Sequence, residues 1–167
     1  MFYLVKSYLN QRSAILSTNI IKKERIISRG WSQESCCGPG LWNIQYNSLL
    51  KLNFAKQTKV IAFADDLILV TRGKTVVEAE NLTNTKLSKI TTWAKNYKIK
   101  FNDDKSTAML VSRRKRKERN EIHVFFNYKR LKQVNQIKYL GIIIDNKFKF
   151  REHITYAAEN ALNLYTA

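Results

Sequence analysis

No aspartate precedes Asp65, and Glu24 and Glu34 are the only acidic residues before it. Acid is scarce throughout: 13 Asp and Glu stand against 30 Lys and Arg, a formal net charge of +17. The bases occur in every part of the chain rather than in one tail, which favours a polyanionic partner, most simply nucleic acid. An anionic membrane surface is the alternative, but no basic amphipathic helix stands out. No apolar run is long enough to span a bilayer. The apolar start, Met1-Phe2-Tyr3-Leu4-Val5, is broken by Lys6 and has no basic region before it, so it does not read as a signal peptide. Cysteine is limited to Cys36 and Cys37. Neighbouring cysteines seldom pair with each other, and this spacing does not suit zinc. A reduced, intracellular setting is expected, with the two thiols serving loop packing. There is no internal repeat and no low-complexity linker. With 167 residues, 44% hydrophobic and 11% aromatic, what is there is an ordered chain of one domain's length with a real core.

Periodicity and punctuation give the elements. Met1 to Leu9 reads as the end of a helix. Ser13 to Ile20 and Glu24 to Ser28 are β-prone runs separated by Lys22-Lys23, in the manner of a hairpin. Pro39, the single proline, suits the first turn of a helix carrying Leu41, Trp42, Ile44, Leu49 and Leu50. Thr58 to Thr71 reads as strand, turn, strand. Thr75-Val76-Val77-Glu78 fits a capping box. The helix it starts sets Ala79, Leu82, Lys86, Ile90, Trp93 and Tyr97 along one side, with Lys86 at the edge of the stripe. Lys105 to Ser112 reads as a strand, and three more are expected near Ile122 to Phe126, Lys129 to Val134 and Tyr139 to Ile144. A last helix places Ile154, Ala157, Ala158, Ala161 and Tyr165 on one face. This mixed, hairpin-rich order predicts an α+β class with a mainly antiparallel sheet.

Phe63-Ala64-Asp65-Asp66 organises the chemistry. It lies between the apolar runs Val60-Ile61-Ala62 and Leu67-Ile68-Leu69-Val70, so the carboxylates fall at or beside a hairpin turn. Two adjacent aspartates among apolar strands are costly to bury unless a cation neutralises them. A hard divalent cation such as magnesium takes oxygen ligands and is the natural partner. A polar surface turn is the plainer reading, but a solvated turn does not need strongly apolar strands on both sides.

The same stretch resembles the catalytic hairpin of reverse transcriptases, in the variant of non-LTR (LINE-type, jockey-like) retrotransposons. Other motifs follow in the family's order. Arg29-Gly30-Trp31-Ser32-Gln33-Glu34-Ser35, then Gly38-Pro39-Gly40-Leu41-Trp42-Asn43, resembles its template- and nucleotide-binding stretch. Trp93, Phe101-Asn102 and Lys105-Ser106 resemble the next motif. Lys138-Tyr139-Leu140-Gly141-Ile142 with Asp145 resembles the primer-side hairpin, and His153-Ile154 follows as in jockey-like elements. The likeness runs over nearly all of the chain.

The resemblance implies a partial polymerase palm over residues 1–112, with the palm–thumb connection and start of a thumb over 113–167. It implies RNA-directed DNA polymerisation with two magnesium ions, an RNA template, a DNA primer and deoxynucleotide triphosphates. Asp65 and Asp66 become the metal-side carboxylates. Asp65 is favoured as the direct ligand, because successive strand side chains point opposite ways. Lys105 becomes a charge beside the phosphates or a general acid, against the plainer reading of a solvated surface lysine. Arg29, Gly30, Gln33, Ser35 and Asn43 become template and nucleotide contacts, and Tyr139, Leu140 and Gly141 primer-side residues. Trp42 and Tyr46 are core residues or face the nucleic acid.

The departures are specific. Trp31 and Ser32 stand where Cys and Pro are usual. Glu34 stands where glycine is usual, adding bulk and negative charge beside incoming phosphates. The family's first catalytic aspartate lies on a strand before the glutamine motif, and the chain is expected to begin after that strand. Asp103, Asp104 and Asp145 fall where the family has loops, and nothing recruits them. Two carboxylates without a third bind metal weakly and orient it poorly. A polymerase fragment that is inactive alone is therefore expected, with a non-catalytic basic nucleic-acid-binding remnant, or a transposon relic without a role, as the rival readings. An unpaired edge beside the hairpin invites self-association. The run Arg113-Arg114-Lys115-Arg116-Lys117 is a subdomain joint, and reads as a solvated loop, a nucleic-acid contact or a nuclear localisation signal. His123 and His153 read as structural.

Overall fold

A computed structural model describes residues 2–19, 21–28, 30, 35–54, 56–112 and 121–165. Arg29, the stretch Trp31 to Glu34 and the basic run at 113–120 lie outside the described residues. The described residues fall into two compact units, Met1–Lys51 and Leu52–Ala167. The class is α+β. Among the described residues there are four helices and five two-stranded sheets, four antiparallel and one parallel.

In the first unit, α1 (Phe2–Leu9) precedes the hairpin of β1 (Ser13–Ser17) and β2 (Lys22–Ile26). Ser17 pairs with Lys22, so Lys22 and Lys23 belong to β2 and do not separate the strands as the sequence suggests. α2 (Gly38–Leu50) starts at its proline, as expected. Tyr46 and Leu49 turn inward, and Trp42 stacks on Tyr46 with ring centroids 4.7 Å apart. Tyr46 is therefore core. Cys36 and Cys37 are free and exposed, so they do not pack the loop.

In the second unit, β3 (Thr58–Phe63) and β4 (Asp66–Thr71) pair antiparallel across their whole length, from Thr58 with Thr71 to Phe63 with Asp66. α3 (Val76–Asn96) packs on β4. Thr75 caps it by accepting from the Glu78 N–H at 3.1 Å. The returning carboxylate bond goes one residue further back, to the Lys74 N–H at 2.6 Å, a shifted form of the expected box. Gly73 makes the tight entry possible: a Cβ there would stand 2.6 Å from the Ala79 backbone nitrogen.

The inward stripe of α3 holds Ile90, fully buried, with Trp93 and Ala94, but also Glu80 and Lys86. Lys86 is only 7% exposed, so it belongs inside the stripe and not at its edge. Glu80 and Asn84 explain the polar part of the face. Glu80 Oε1 accepts from the His123 N–H at 2.6 Å. Asn84 donates to the His123 carbonyl at 2.9 Å and accepts from the Phe125 N–H at 2.8 Å. Together these side chains act as the ladder partner of an extended backbone. Ile122, Val124, Phe126 and Leu131 complete the core against this helix.

The strands expected beyond α3 are shorter than the sequence suggests. The run 105–112 yields only β5 (Thr107–Ala108), parallel to β8 (Lys132–Gln133). The runs 122–126 and 129–134 yield β6 (Phe125–Phe126), β7 (Lys129–Arg130) and β8. β9 (Gln136–Tyr139) and β10 (Ile142–Asp145) form a hairpin around Leu140-Gly141. α4 (Arg151–Tyr165) packs on β10. The expected apolar face of α4 is turned outward: Ile154, Ala157, Ala158 and Ala161 are exposed, and His153 and Tyr156 are the half-buried residues. Lys138 clips this helix to β9, donating to Tyr156 Oη at 2.9 Å with its ammonium 4.3 Å from the ring centroid.

Candidate functional site

The β3–β4 hairpin closes through two residues, Ala64 and Asp65. Ala64 has a φ of 50°, and positive φ at the first central position alone is the pattern of a mirror-image hairpin turn that prefers glycine there. Alanine in that conformation is strained, and such strain concentrates where surroundings over-determine a functional geometry. Asp65 is thus a turn residue, and its direction is set by the turn rather than by strand alternation. Asp66 is the first residue of β4. Paired with Phe63, it shares the outward face with Ile61 and Val70. Thr58, Val60, Ala62, Leu67 and Leu69 line the covered face. Both aspartates are exposed, and neither carboxylate has a partner among the described residues. They are adjacent, at the end of the turn and the start of β4, and are exposed to solvent.

The other aspartates are occupied. Asp104 is ion-paired with Lys129. That hydrogen bond and charge lower the Asp104 carboxyl below its ordinary value and raise the Lys129 ammonium above its own. Asp103 accepts from Asn127 Nδ2 at 2.7 Å. Asp145 sits at the end of β10 rather than in a loop, and is buried. It accepts from the Lys147 N–H at 2.8 Å and the Phe150 N–H at 2.6 Å. Burial pushes its carboxyl up, but the backbone donors of Phe150, Lys147 and Lys149 outweigh burial and hold it below the ordinary range. None of these three joins the hairpin pair. Among the described residues no group of three His, Cys, Asp or Glu side chains could hold a metal ion. Asp65 and Asp66 offer the hard oxygen donors that a divalent cation takes. Among the described residues they fit a share of a metal site.

The remaining candidates belong to other elements of the chain. Gly30 is exposed, with its carbonyl accepting from Arg12 at 2.6 Å. Ser35 Oγ accepts from the Gly38 N–H at 2.9 Å, fixing the turn into α2, and lies 3.2 Å from the Tyr8 hydroxyl. Asn43 is exposed on α2. Arg29 and Gln33 are outside the described residues. Lys105 is exposed in a turn whose backbone N–H bonds Asn102 Oδ1 at 3.2 Å. β5, which follows it, pairs with β8 and not with the β3–β4 hairpin. Leu140 and Gly141 form a two-residue turn with φ of 47° and 82°. Tyr139 closes that turn, its hydroxyl buried without a partner among the described residues.

A family model described as reverse transcriptase (RNA-dependent DNA polymerase) matches residues 2–144. The chain belongs to the reverse transcriptase family. Its relatives are proteins of non-LTR retrotransposons. A Pol polyprotein from type-1 retrotransposable element R1 2 of Nasonia vitripennis is 31% identical over 131 residues, covering 75% of this chain and 31% of the relative. The RNA-directed DNA polymerase from mobile element jockey of Drosophila melanogaster is 25% identical over 162 residues, covering 93% of the chain and 17% of the relative. The probable RNA-directed DNA polymerase from transposon X-element of the same fly is 26% identical, covering 92% and 17%. The chain thus spans a third or less of these relatives' lengths. No solved structure matches it. The resemblance read from the four motifs is upheld by this membership.

What sequence reasoning missed is the α3 clamp. Glu80 and Asn84 carry no motif, and the signal that could have found them is their spacing of four on the inward side of α3.

Proposed function

We propose that this reverse transcriptase chain is part of an RNA-directed DNA polymerase of a non-LTR retrotransposon, with Asp65 and Asp66 as two carboxylates of its divalent-metal site. The observation that carries this reading is the pair of exposed carboxylates, unpartnered among the described residues, at the end of the strained β3–β4 turn and the start of β4. Residues 1–112 form part of the palm and 113–167 lead into the thumb. Magnesium supplies charge neutralisation at the transferring phosphoryl group. Arg29, Gly30, Gln33, Ser35 and Asn43 contact template and incoming deoxynucleotide, and Tyr139, Leu140 and Gly141 support the primer end. Lys105 places a positive charge beside the phosphates. The outer edges of the β3–β4 sheet are unpaired among the described residues, which offers a surface for self-association.

The 167-residue chain alone is inactive on this reading, because the described residues bring no third carboxylate to the pair. In the longer polymerase that carries this sequence, Asp65→Asn and Asp66→Asn should each lower primer extension on RNA by on the order of 100-fold. Extension by the 167-residue chain alone, abolished by Asp65→Ala, would overturn the incompleteness of the site. A second reading, a non-catalytic nucleic-acid-binding module, is favoured by the net charge of +17. It requires binding that weakens steeply with salt and ignores both magnesium and the aspartate pair.

A further inference from the structure

The hairpin joining β6 to β7 presents an aromatic ring where the backbone disfavours one. Its two-residue turn, Asn127-Tyr128, has φ of 48° and 66°. In this mirror-image turn asparagine suits the first central position and glycine the second. A bulky residue in the left-handed region is an outlier, and it persists only where neighbours over-determine it. Neighbours do so here. Thr91 Oγ1 donates to Asn127 Oδ1 at 3.1 Å, Asn127 Nδ2 binds Asp103, and Lys129 is ion-paired with Asp104. The ring gains no packing in return, for Tyr128 is 93% exposed. Lys95 Nζ lies 5.8 Å from its centroid, and among the described residues no carboxylate pairs with that ammonium.

We propose that Tyr128 is a stacking platform for a base of single-stranded nucleic acid, with Lys95 facing an adjoining phosphate. The proposal rests on the nucleic-acid reading above and names one point of contact for it. Every base offers a π-face to an aromatic side chain, and cations beside the ring track the backbone. Of the two aspartates beside the turn, Asp104 is neutralised by Lys129, while Asp103 keeps its charge and is hydrogen-bonded to Asn127, leaving Lys95 as the cation beside the ring. An aromatic anchor for a protein partner sits among apolar neighbours that exclude water, whereas the surroundings of Tyr128 are charged.

The test is fluorescence anisotropy of the whole chain with a short labelled oligouridylate, beside thermal melting. Tyr128→Gly removes the ring and relieves the backbone together. Affinity should fall about 5- to 100-fold while the melting temperature holds or rises, and Tyr128→Trp should keep the affinity. Equal affinity of the parent chain and Tyr128→Gly overturns the proposal, and is the result a protein-binding ring gives. A fall in both affinity and melting temperature, with Tyr128→Trp failing to bind, also overturns it. A parent chain that binds no single strand removes the nucleic-acid reading as well, so the two failures are distinguishable.

Discussion

At the scale of single residues, the carboxylates of this chain divide by what satisfies them. Asp65 and Asp66 face solvent with no partner among the described residues. Asp104 meets a lysine on the surface, an arrangement that contributes little to stability. Asp145 is held by backbone N–H groups, and its work is local. The loop after β10 contains Phe148 and Phe150 at φ of 52° and 55°, and the two oxygens of Asp145 pin it on the way into α4. This has a pH signature. The folded carboxyl lies below its ordinary value of 3.8, so the unfolded chain takes up the proton first as pH falls. The stabilisation is complete above that ordinary value and is lost as pH drops through the lower, folded one. Asp145→Ala should therefore melt below the parent chain at neutral pH, and the gap should close under acid conditions. A gap that is constant down to the acid end would show that the loop does not depend on the ionised carboxylate.

At the scale of elements, local signals were legible wherever an element's partner is its own neighbour in sequence. The hairpin from Thr58 to Thr71, the proline-led start of α2 and the cap at Thr75 follow from nearby residues alone. Elements whose partners are distant were not legible. Thr107–Ala108 is a strand only because it lies beside Lys132–Gln133, and nothing in the run from Lys105 to Ser112 says where it stops. The segment from Ile122 to Phe126 is extended, yet much of its ladder is made of side chains on α3. The site divides the same way. Asp65 and Asp66 are adjacent in sequence and so could be read as a pair, whereas their relation to Lys105 or Tyr139 depends on long-range packing. The clamp is measurable. Asn84→Ala removes two hydrogen bonds to the backbone of His123 and Phe125 and should cost about 1–3 kcal/mol in chemical denaturation. Asn84→Asp keeps the acceptor for Phe125 but sets a carboxylate oxygen against the His123 carbonyl, one turn from Glu80, so it should be at least as destabilising as Asn84→Ala. Parent-like stability of Asn84→Ala would mean that water replaces the clamp without loss.

At the scale of the whole molecule, the two compact units differ in how they are held together. Within Leu52–Ala167, Ile90, Trp93, Ala94, Ile122, Val124, Phe126 and Leu131 are buried on a helix and the segment clamped to it. Among the described residues of Met1–Lys51 the buried apolar side chains are Tyr46 and Leu49, both on α2, and every position of β1 and β2 is exposed. A two-stranded hairpin with both faces open is marginal in water, and local opening follows the density of buried apolar contact. Amide exchange should therefore separate them. The amides of β1 and β2 should exchange at rates close to those of open peptide. The stretch from Lys86 to Ala94 should exchange slowest, together with Phe125, whose N–H is covered by Asn84. Slow exchange through Ser13 to Ile26 equal to that of α3 would show that the hairpin is covered by something other than the residues described, and would place the fold's stability in both units rather than in the second.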